Sequence, residues 1–197
     1  MIVVGITGGI GSGKTTIANY FNKQFNIPVY YSDSEAKELM NTEALKKQIR
    51  NLLGVEAYFQ NRLDRKFVAD KVFKDATLLN KLNKIVHPAV GKHFEEWCKQ
   101  QNAPYVLKEA AILFENGGAA SCDYVILVTA PEDLRIHRVL KRDAISSEDI
   151  RSRINKQWDD SKKIPMADFV IENIELEESK KKSSEIHLQL LRSPINT

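Results

Sequence analysis

Residues 8–16, Gly-Gly-Ile-Gly-Ser-Gly-Lys-Thr-Thr, constrain this chain more than any other stretch. They match the pattern G-x-x-x-x-G-K-[ST], between an apolar run that is typical of a strand and an amphipathic stretch that is typical of a helix. A plain turn needs only one or two glycines. Several glycines let successive backbone N–H groups turn inward and surround an anion, and the following helix adds the positive end of its dipole. The pattern therefore predicts a phosphate-binding loop.

The residue types in this glycine loop (residues 8–16) predict how a nucleoside triphosphate would be held. Lys14 is expected to reach the β- and γ-phosphates, and the Thr15 hydroxyl is expected to coordinate Mg²⁺. The predicted nucleotide-binding residues are Gly11, Ser12, Gly13, Lys14, Thr15 and Thr16.

Composition excludes few classes of function. The 197 residues are enough for one compact unit, with 29 basic and 26 acidic side chains and a net charge of +3. This balance is too even to indicate nucleic-acid binding. No segment reads as a signal peptide or membrane span, and Cys98 and Cys122 lack the spacing of metal ligands. We expect a soluble cytoplasmic protein without a nucleic-acid or membrane partner, and a monomer by default.

Five short apolar runs alternate with helical patterns and predict an α/β fold. Because the runs are continuously apolar, they favour a parallel sheet of the P-loop type covered by helices on both faces. The predicted strands are 2–7, 28–31, 105–109, 124–130 and 168–173. The predicted helices are 14–25, 88–101, one that begins after Pro131, and one from about 178 to 191 that stops before Pro194.

One interval is too long for a single crossover helix. Residues 34–86 are mostly helical in pattern and are predicted to form an inserted helical subdomain. Residues 135–163 are rich in charge with few apolar anchors, which is typical of a mobile lid. The nucleotide-binding core is then predicted to comprise residues 1–33, 87–134 and 164–197.

Phosphate-binding loops of this kind occur in GTPases, motors and small kinases. No aspartate is followed three residues later by glycine, and Asn155-Lys156-Gln157-Trp158 lacks the aspartate that a guanine-reading N-K-x-D motif requires. A kinase needs an insert that binds the acceptor and a basic lid, and both are predicted here. The sequence therefore favours a small-molecule phosphotransferase.

Two groups of carboxylates are candidates for the chemistry. Asp33 follows the second strand and would orient the attacking hydroxyl and accept its proton, although an N-cap role for the next helix is an equal alternative. Glu109 ends the third strand, where a carboxylate commonly holds Mg²⁺ through water. Glu115 lies six residues further on. Either glutamate could instead be a surface acid.

Three arginines at helical spacing, Arg135, Arg138 and Arg142, are candidates to clamp the transferring phosphoryl group. The alternative is a solvated helix face with ion pairs to Asp133 and Asp143. His87 precedes Pro88, a residue that is expected to open a helix and needs no functional explanation there.

Five blocks in order resemble the dephospho-CoA kinase family and span almost the whole chain. They are GITGGIGSGKTT, the aspartate of YYSDSEAKEL, IVHPAV, EAAILFENG, and the run RVLKRDAISSEDIRSRINKQWDDSKKIPMADFVIEN. The first block is generic to P-loop proteins, whereas the others together are specific to this family.

The resemblance implies ATP- and Mg²⁺-dependent phosphorylation of the ribose 3′-hydroxyl of dephospho-CoA. It implies that Asp33 is the base, that His87 and Glu115 bind the acceptor, and that residues 34–86 form the CoA-binding subdomain. It also implies that Arg138 and Arg142 lie near the phosphates and that Asn173 contacts the adenine side. The alternatives are another P-loop nucleotide or metabolite kinase, or a nucleotide-binding regulatory or nucleic-acid-associated ATPase.

Two positions depart from the family pattern. Glu109 and the residues after it, Ala-Ala-Ile-Leu, stand where the family usually has Asp and then Pro-Leu-Leu, so Glu109 must reach one methylene further to serve a metal. Asn173 is followed by Ile174 where glycine is usual.

Overall fold

A computed structural model of the chain describes residues 1–72, 74–143 and 145–192. Its strands, in chain order, are β1 (Ile2–Thr7), β2 (Val29–Tyr31), β3 (Tyr58–Phe59), β4 (Arg62–Leu63), β5 (Tyr105–Glu109), β6 (Tyr124–Thr129) and β7 (Phe169–Glu172). Its helices are α1 (Lys14–Phe25), α2 (Ser32–Leu39), α3 (Glu43–Leu53), α4 (Arg65–Val72), α5 (Ala76–Lys99), α6 (Glu132–Arg142), α7 (Ser147–Ile154), α8 (Asp160–Lys163) and α9 (Leu176–Arg192).

Five of the strands form one parallel sheet in the order β2-β5-β1-β6-β7, which confirms the predicted fold class. The central strand β1 has no solvent access at Val4 or Ile6. Ile17 and Phe21 of α1 and Ile186 of α9 pack in the same apolar cluster. Continuous apolarity in the strands therefore reflects burial on both faces of the sheet.

The chain divides into two compact units, which are described separately. One unit comprises Met1–Tyr31 and Gln101–Thr197 and contains the parallel sheet; the other is Ser32–Gln100. The second unit therefore extends beyond the predicted end of the insert at residue 86. The physical reason is that α5 runs without interruption through residues 86 and 87.

The prediction that Pro88 opens a helix is wrong. Pro88 lies inside α5, which begins twelve residues earlier, at Ala76. The side chain of Asp75 caps this helix by accepting hydrogen bonds from the Thr77 and Leu78 N–H groups at 2.9 and 3.0 Å. Leu82, Val86 and the residues around them bury the helix against the other helices of the unit, and this packing outweighs the hydrogen bond that proline cannot donate.

A two-stranded antiparallel hairpin, β3 with β4, lies within the second unit and was not predicted. Its turn residues Gln60 and Asn61 both have positive φ, at 46° and 65°. Lys46, which is 4% exposed, donates a hydrogen bond to the Asn61 side chain at 3.0 Å. Strands of two residues are too short for the alternation that sequence patterns detect.

The predicted lid has more apolar anchorage than its composition indicates. Ile136 and Val139 of α6 pack against Ile150 and Ile154 of α7 in a buried cluster, and Ile10 of the glycine loop contacts this cluster. These apolar residues gave no clear pattern in the sequence because each is isolated among charged residues. Among the described residues, no helix is long and apolar enough to cross a membrane.

Helix α9 carries His187, whose ring stacks on Phe25 with 4.1 Å between centroids and 4° between planes. The Tyr105 hydroxyl lies 2.7 Å from His187 Nδ1. Burial raises the pKa of Tyr105 well above its usual range, so this hydroxyl keeps its proton. Burial also lowers the pKa of His187 below its usual 6.5.

We expect the protein to lose stability as the pH falls from 8 to 5. The unfolded chain binds a proton on His187 near pH 6.5, before the folded chain does, so the stabilisation is complete above that pH and is lost as the pH falls through the lower folded pKa. Urea unfolding at several pH values measures this. The variant His187→Gln should show a shallower pH dependence, whereas His137→Gln, on an exposed position, should keep the wild-type slope. Equal slopes for wild type and His187→Gln would contradict the assignment.

Candidate active site

The glycine loop connects β1 to α1 at the carboxyl end of the sheet. Gly11 and Gly13 have φ of +79° and +91°, in the region that side chains disfavour. A Cβ atom on Gly13 would lie 2.1 Å from Asn173 Nδ2. The loop therefore requires glycine at these positions both for its conformation and for its close approach to neighbouring residues.

Side chains from outside the loop hold its carbonyl groups. Ser12 O accepts hydrogen bonds from Asn173 Nδ2 at 2.8 Å and from Arg138 Nη1 at 3.4 Å. In a trans peptide the C=O and the next N–H point in opposite directions, so the Gly13 N–H points away from Asn173. The hydrogen bonds to Ser12 O therefore fix the orientation of the Ser12–Gly13 peptide. The Gly13 N–H, at the start of α1, faces away from Asn173 and Arg138.

Two predicted site residues of the glycine loop lie against a third, Glu109. Thr15 Oγ1 donates a hydrogen bond to Glu109 Oε1 at 3.1 Å, and Lys14 Nζ lies 3.7 Å from the same oxygen. Glu109 is 5% exposed and ends β5, where it pairs in register with Ile6 of β1 and Tyr31 of β2. Glu109 therefore reaches the hydroxyl that is expected to bind Mg²⁺, despite the glutamate-for-aspartate difference. The pKa of Tyr31 is raised mainly by burial of its hydroxyl and secondly by the negative charge of Glu109.

The three arginines of α6 have three different surroundings. Arg135 is 8% exposed, and its Nε donates to Ile10 O at 2.9 Å. Arg138 is half-buried and bonds the carbonyls of Ser12 and Ile174 at 3.4 and 3.3 Å. Arg142 is exposed and forms a bidentate pair with Asp143 at 2.7 and 2.9 Å.

These surroundings separate the arginines by function. Arg135 binds a backbone carbonyl of the glycine loop. Arg138 is half-buried and contacts the loop at Ser12 O. Its contact with phosphate remains a prediction. The Arg142 contact with Asp143 is the ion pair of the solvated-face alternative, and it lowers the pKa of Asp143. The predicted phosphate role of Arg142 remains a prediction.

Asn173 supports the loop from beneath. It follows β7 and is 4% exposed; besides bonding Ser12 O, its Oδ1 accepts from Ser179 Oγ at 3.0 Å. Because both ends of the amide are engaged within the protein, Asn173 has a supporting role in the loop. Its predicted contact with the adenine side remains a prediction. The nearby Ser179, which is also buried, was not indicated by the sequence because a serine within a helix carries no distinctive signal.

Replacing Asn173 by alanine is expected to destabilise the protein by roughly 1–3 kcal/mol, since Ser12 O and Ser179 Oγ each lose a buried partner. Nucleotide affinity should fall with it, because the Gly13 amide loses its anchor. Urea unfolding and titration with ADP measure the two effects. The exposed Asn102 provides the matched control, Asn102→Ala. Unchanged unfolding and unchanged ADP affinity would show that the bond to Ser12 has no supporting role.

Glu115 is turned toward the predicted lid. Its Oε1 accepts a hydrogen bond from the Trp158 N–H at 3.1 Å, and its Oε2 is buried without a hydrogen-bond partner among the described residues. This contact places the carboxylate against the protein's own backbone. Its predicted contact with the acceptor remains untested.

Asp33 and His87 belong to the second unit. Asp33 is exposed in the first turn of α2, which begins at Ser32, so the alternative of an N-cap for a helix starting near Ser34 does not describe it. His87 is exposed on α5. Thr16, the last predicted loop residue, is exposed at the start of α1. The roles of all three remain predictions.

Among the described residues, no group of three or more His, Cys, Asp or Glu side chains is arranged to hold a metal ion.

Comparison with known proteins decides the family. The family model described as dephospho-CoA kinase matches residues 2–178. The chain belongs to the dephospho-CoA kinase family.

Individual relatives agree with this family. A dephospho-CoA kinase of Bacteroides fragilis is 37% identical over 174 residues, covering 87% of this chain and 84% of the relative. A dephospho-CoA kinase of Salinibacter ruber is 38% identical over 193 residues, covering 95% of this chain and 96% of the relative. The crystal structure of TT1252 from Thermus thermophilus superposes with a TM-score of 0.89 at 33% identity and covers 98% of both chains. The family match over residues 2–178 includes parts of both compact units.

Proposed function

We propose that this chain transfers the γ-phosphoryl group of ATP to the ribose 3′-hydroxyl of dephospho-CoA, giving coenzyme A and ADP. Membership of the dephospho-CoA kinase family over residues 2–178 is the observation that carries this proposal. The contact of Lys14 and Thr15 with Glu109 beside the glycine loop supports it, because phosphoryl transfer depends on positioned charge more than on covalent chemistry.

The glycine loop fits the phosphates of the donor. Its amides lie at the N-terminus of α1, and Lys14 supplies a positive charge that is largely shielded from solvent, with 15% of its side chain exposed. Ser12 Oγ is fully buried without a hydrogen-bond partner among the described residues. In the reaction, Lys14 and the loop amides would offset the charge that develops on the transferring group.

The same site fits Mg²⁺. Hydroxyl and carboxylate oxygens are the ligands that this ion prefers, and Thr15 and Glu109 present them 3.1 Å apart. When bound, the ion would neutralise negative charge on the β- and γ-phosphates. Thr15 would hold it directly and Glu109 through water, as its longer side chain allows.

The second unit would supply the acceptor side. Asp33 would orient the 3′-hydroxyl and accept its proton late in the transfer, and His87 of the same unit would contact the acceptor. Glu115, which belongs to the first unit, would be a further acceptor contact. Arg138 and Arg142 would lie near the phosphates. The insert would thus select the acceptor, while the glycine loop would bind the phosphates of the donor ATP.

The chain is expected to release ADP with dephospho-CoA as acceptor and to do so slowly with AMP, CMP or shikimate. A coupled ADP-release assay over this panel, with ATP and Mg²⁺, measures the preference. Preference for another acceptor would replace the proposal with a different P-loop kinase. ADP release that needs no acceptor would favour a regulatory ATPase.

A further inference from the structure

One side chain outside the predicted site connects two parts of it. Gln157 Oε1 accepts a hydrogen bond from the Ile10 N–H at 2.8 Å, and Gln157 Nε2 donates to Ala111 O at 3.3 Å. Ile10 lies in the glycine loop, and Ala111 lies two residues after Glu109. The partly buried Gln157 therefore links the loop to the segment that carries the Glu109 carboxylate.

Of the two peptide units around Ile10, the first is held at both its C=O and its N–H, and the second is held at its C=O. Gly9 O accepts a hydrogen bond from Ser12 N at 3.0 Å, while the Ile10 N–H of the same peptide is taken by Gln157. Ile10 O, in the next peptide, accepts from Arg135 Nε at 2.9 Å. Because the peptide is trans, the Gly11 N–H then points away from Arg135. Gln157 and Arg135 together thus set which amides of the loop face the protein and which do not.

The residues that follow Gln157 anchor it to the same surroundings. The Trp158 N–H donates to Glu115 Oε1 at 3.1 Å. Asp160 lies 3.8 Å from Arg135 Nη1 and 2.9 Å from Lys163 Nζ, and Lys163 is 2% exposed. The segment from Gln157 to Lys163 therefore contacts both the residues that follow β5, at Ala111 and Glu115, and Arg135 of α6.

We propose that Gln157 is a positioning residue for the nucleotide, which holds the Ile10 peptide so that the remaining loop amides face the phosphates. This inference rests on the proposed function only in taking a nucleotide as the ligand of the loop. A primary amide suits the role because it offers one acceptor and one donor, and the two neighbours are an N–H and a C=O. A glutamate or an apolar side chain of the same size would satisfy at most one of them.

The test is ADP binding, measured by calorimetry with excess Mg²⁺ on the full chain. Gln157→Met keeps the volume of the side chain and loses both hydrogen bonds, and we expect it to raise the Kd for ADP about tenfold. Gln157→Asn keeps the amide but is one methylene too short to reach both partners, so its Kd should rise by a smaller factor. Gln24→Met, on the exposed face of α1, is the matched control and should bind within about twofold of wild type.

Kinetics distinguish positioning from a merely structural role. In Gln157→Met the KM for ATP should rise while the KM for dephospho-CoA stays near the wild-type value. A structural role would instead reduce the fraction of competent protein, which lowers the calorimetric stoichiometry and kcat while leaving the Kd unchanged. That pattern, or a wild-type Kd in both Gln157 variants, would overturn the inference. If Gln157→Met does not fold, Gln157→Asn decides alone.

The outcome is separable from that of the proposed function. If wild type fails to phosphorylate dephospho-CoA, the proposed function is wrong, whereas the ADP affinities of the Gln157 variants still decide the role of this side chain.

Discussion

Replacing Lys14 by alanine is expected to lower kcat by roughly 10²- to 10³-fold, the effect of removing one preorganised charge from a phosphoryl-transfer site. The ammonium group belongs to the glycine loop itself, and only 15% of the side chain is exposed. A shielded charge interacts more strongly with phosphate than a solvated one. Initial rates of ADP release with dephospho-CoA as acceptor measure the change.

The same substitution removes the cationic neighbour of Glu109, so its effect on stability must be measured separately. The Thr15 hydroxyl still donates to Glu109, and we expect a cost of about 1–3 kcal/mol in the free energy of unfolding. Lys23→Ala, at an exposed position near the end of α1, is the matched control and should retain wild-type turnover. A wild-type kcat in Lys14→Ala would show that this lysine does not serve the phosphates.

Asp33→Asn is expected to lower kcat by roughly 10²- to 10⁴-fold, because the amide cannot accept the proton of the attacking hydroxyl. Asparagine has nearly the same shape as aspartate, so the KM for ATP should change little. The residue is exposed in the first turn of α2, and it follows by two positions the residue that pairs with Glu109 in the sheet. Steady-state kinetics with both substrates varied provide the measurement.

The control for Asp33 is another acidic residue in the first turn of a helix. Asp133, exposed in the first turn of α6, has the same favourable relation to the helix dipole. Asp133→Asn should therefore reproduce any small loss of stability without the loss of kcat. If Asp33→Asn is less stable but turns over normally, Asp33 serves the helix and not the reaction.

The sheet was predictable because its strands are short, apolar on both faces and separated by helical patterns. All five strands of the parallel sheet lie within one residue of the predicted bounds at each end. Helix α5 was not predictable at its start, since Pro88 is a strong local signal for a first turn and the packing of Leu82 and Val86 outweighs it. The β3–β4 hairpin was missed because each strand has only two residues.

The candidate site was predictable to different degrees. The spacing of Lys14, Thr15 and the end of β5 follows from a strand–loop–helix unit next to a parallel strand, and these residues are in contact as that geometry requires. The helical spacing of Arg135, Arg138 and Arg142 predicted one common face. In the structure the three side chains have different surroundings. Arg135 bonds the loop at Ile10, Arg138 bonds it at Ser12, and Arg142 is exposed and pairs with Asp143.

The sequence by itself determined that this chain has a phosphate-binding loop, a parallel sheet and the residue blocks of the dephospho-CoA kinase family. Local chemistry indicates the loop, since glycines, a lysine and a hydroxyl at this spacing between a strand and a helix supply the inward-facing amides, the charge and the oxygen that a phosphate site needs. Tertiary structure alone decided which side chains hold the loop. Gln157 and Asn173 lie 147 and 161 residues from the loop carbonyls and amides that they bind, and no periodicity in a sequence records a contact across that separation.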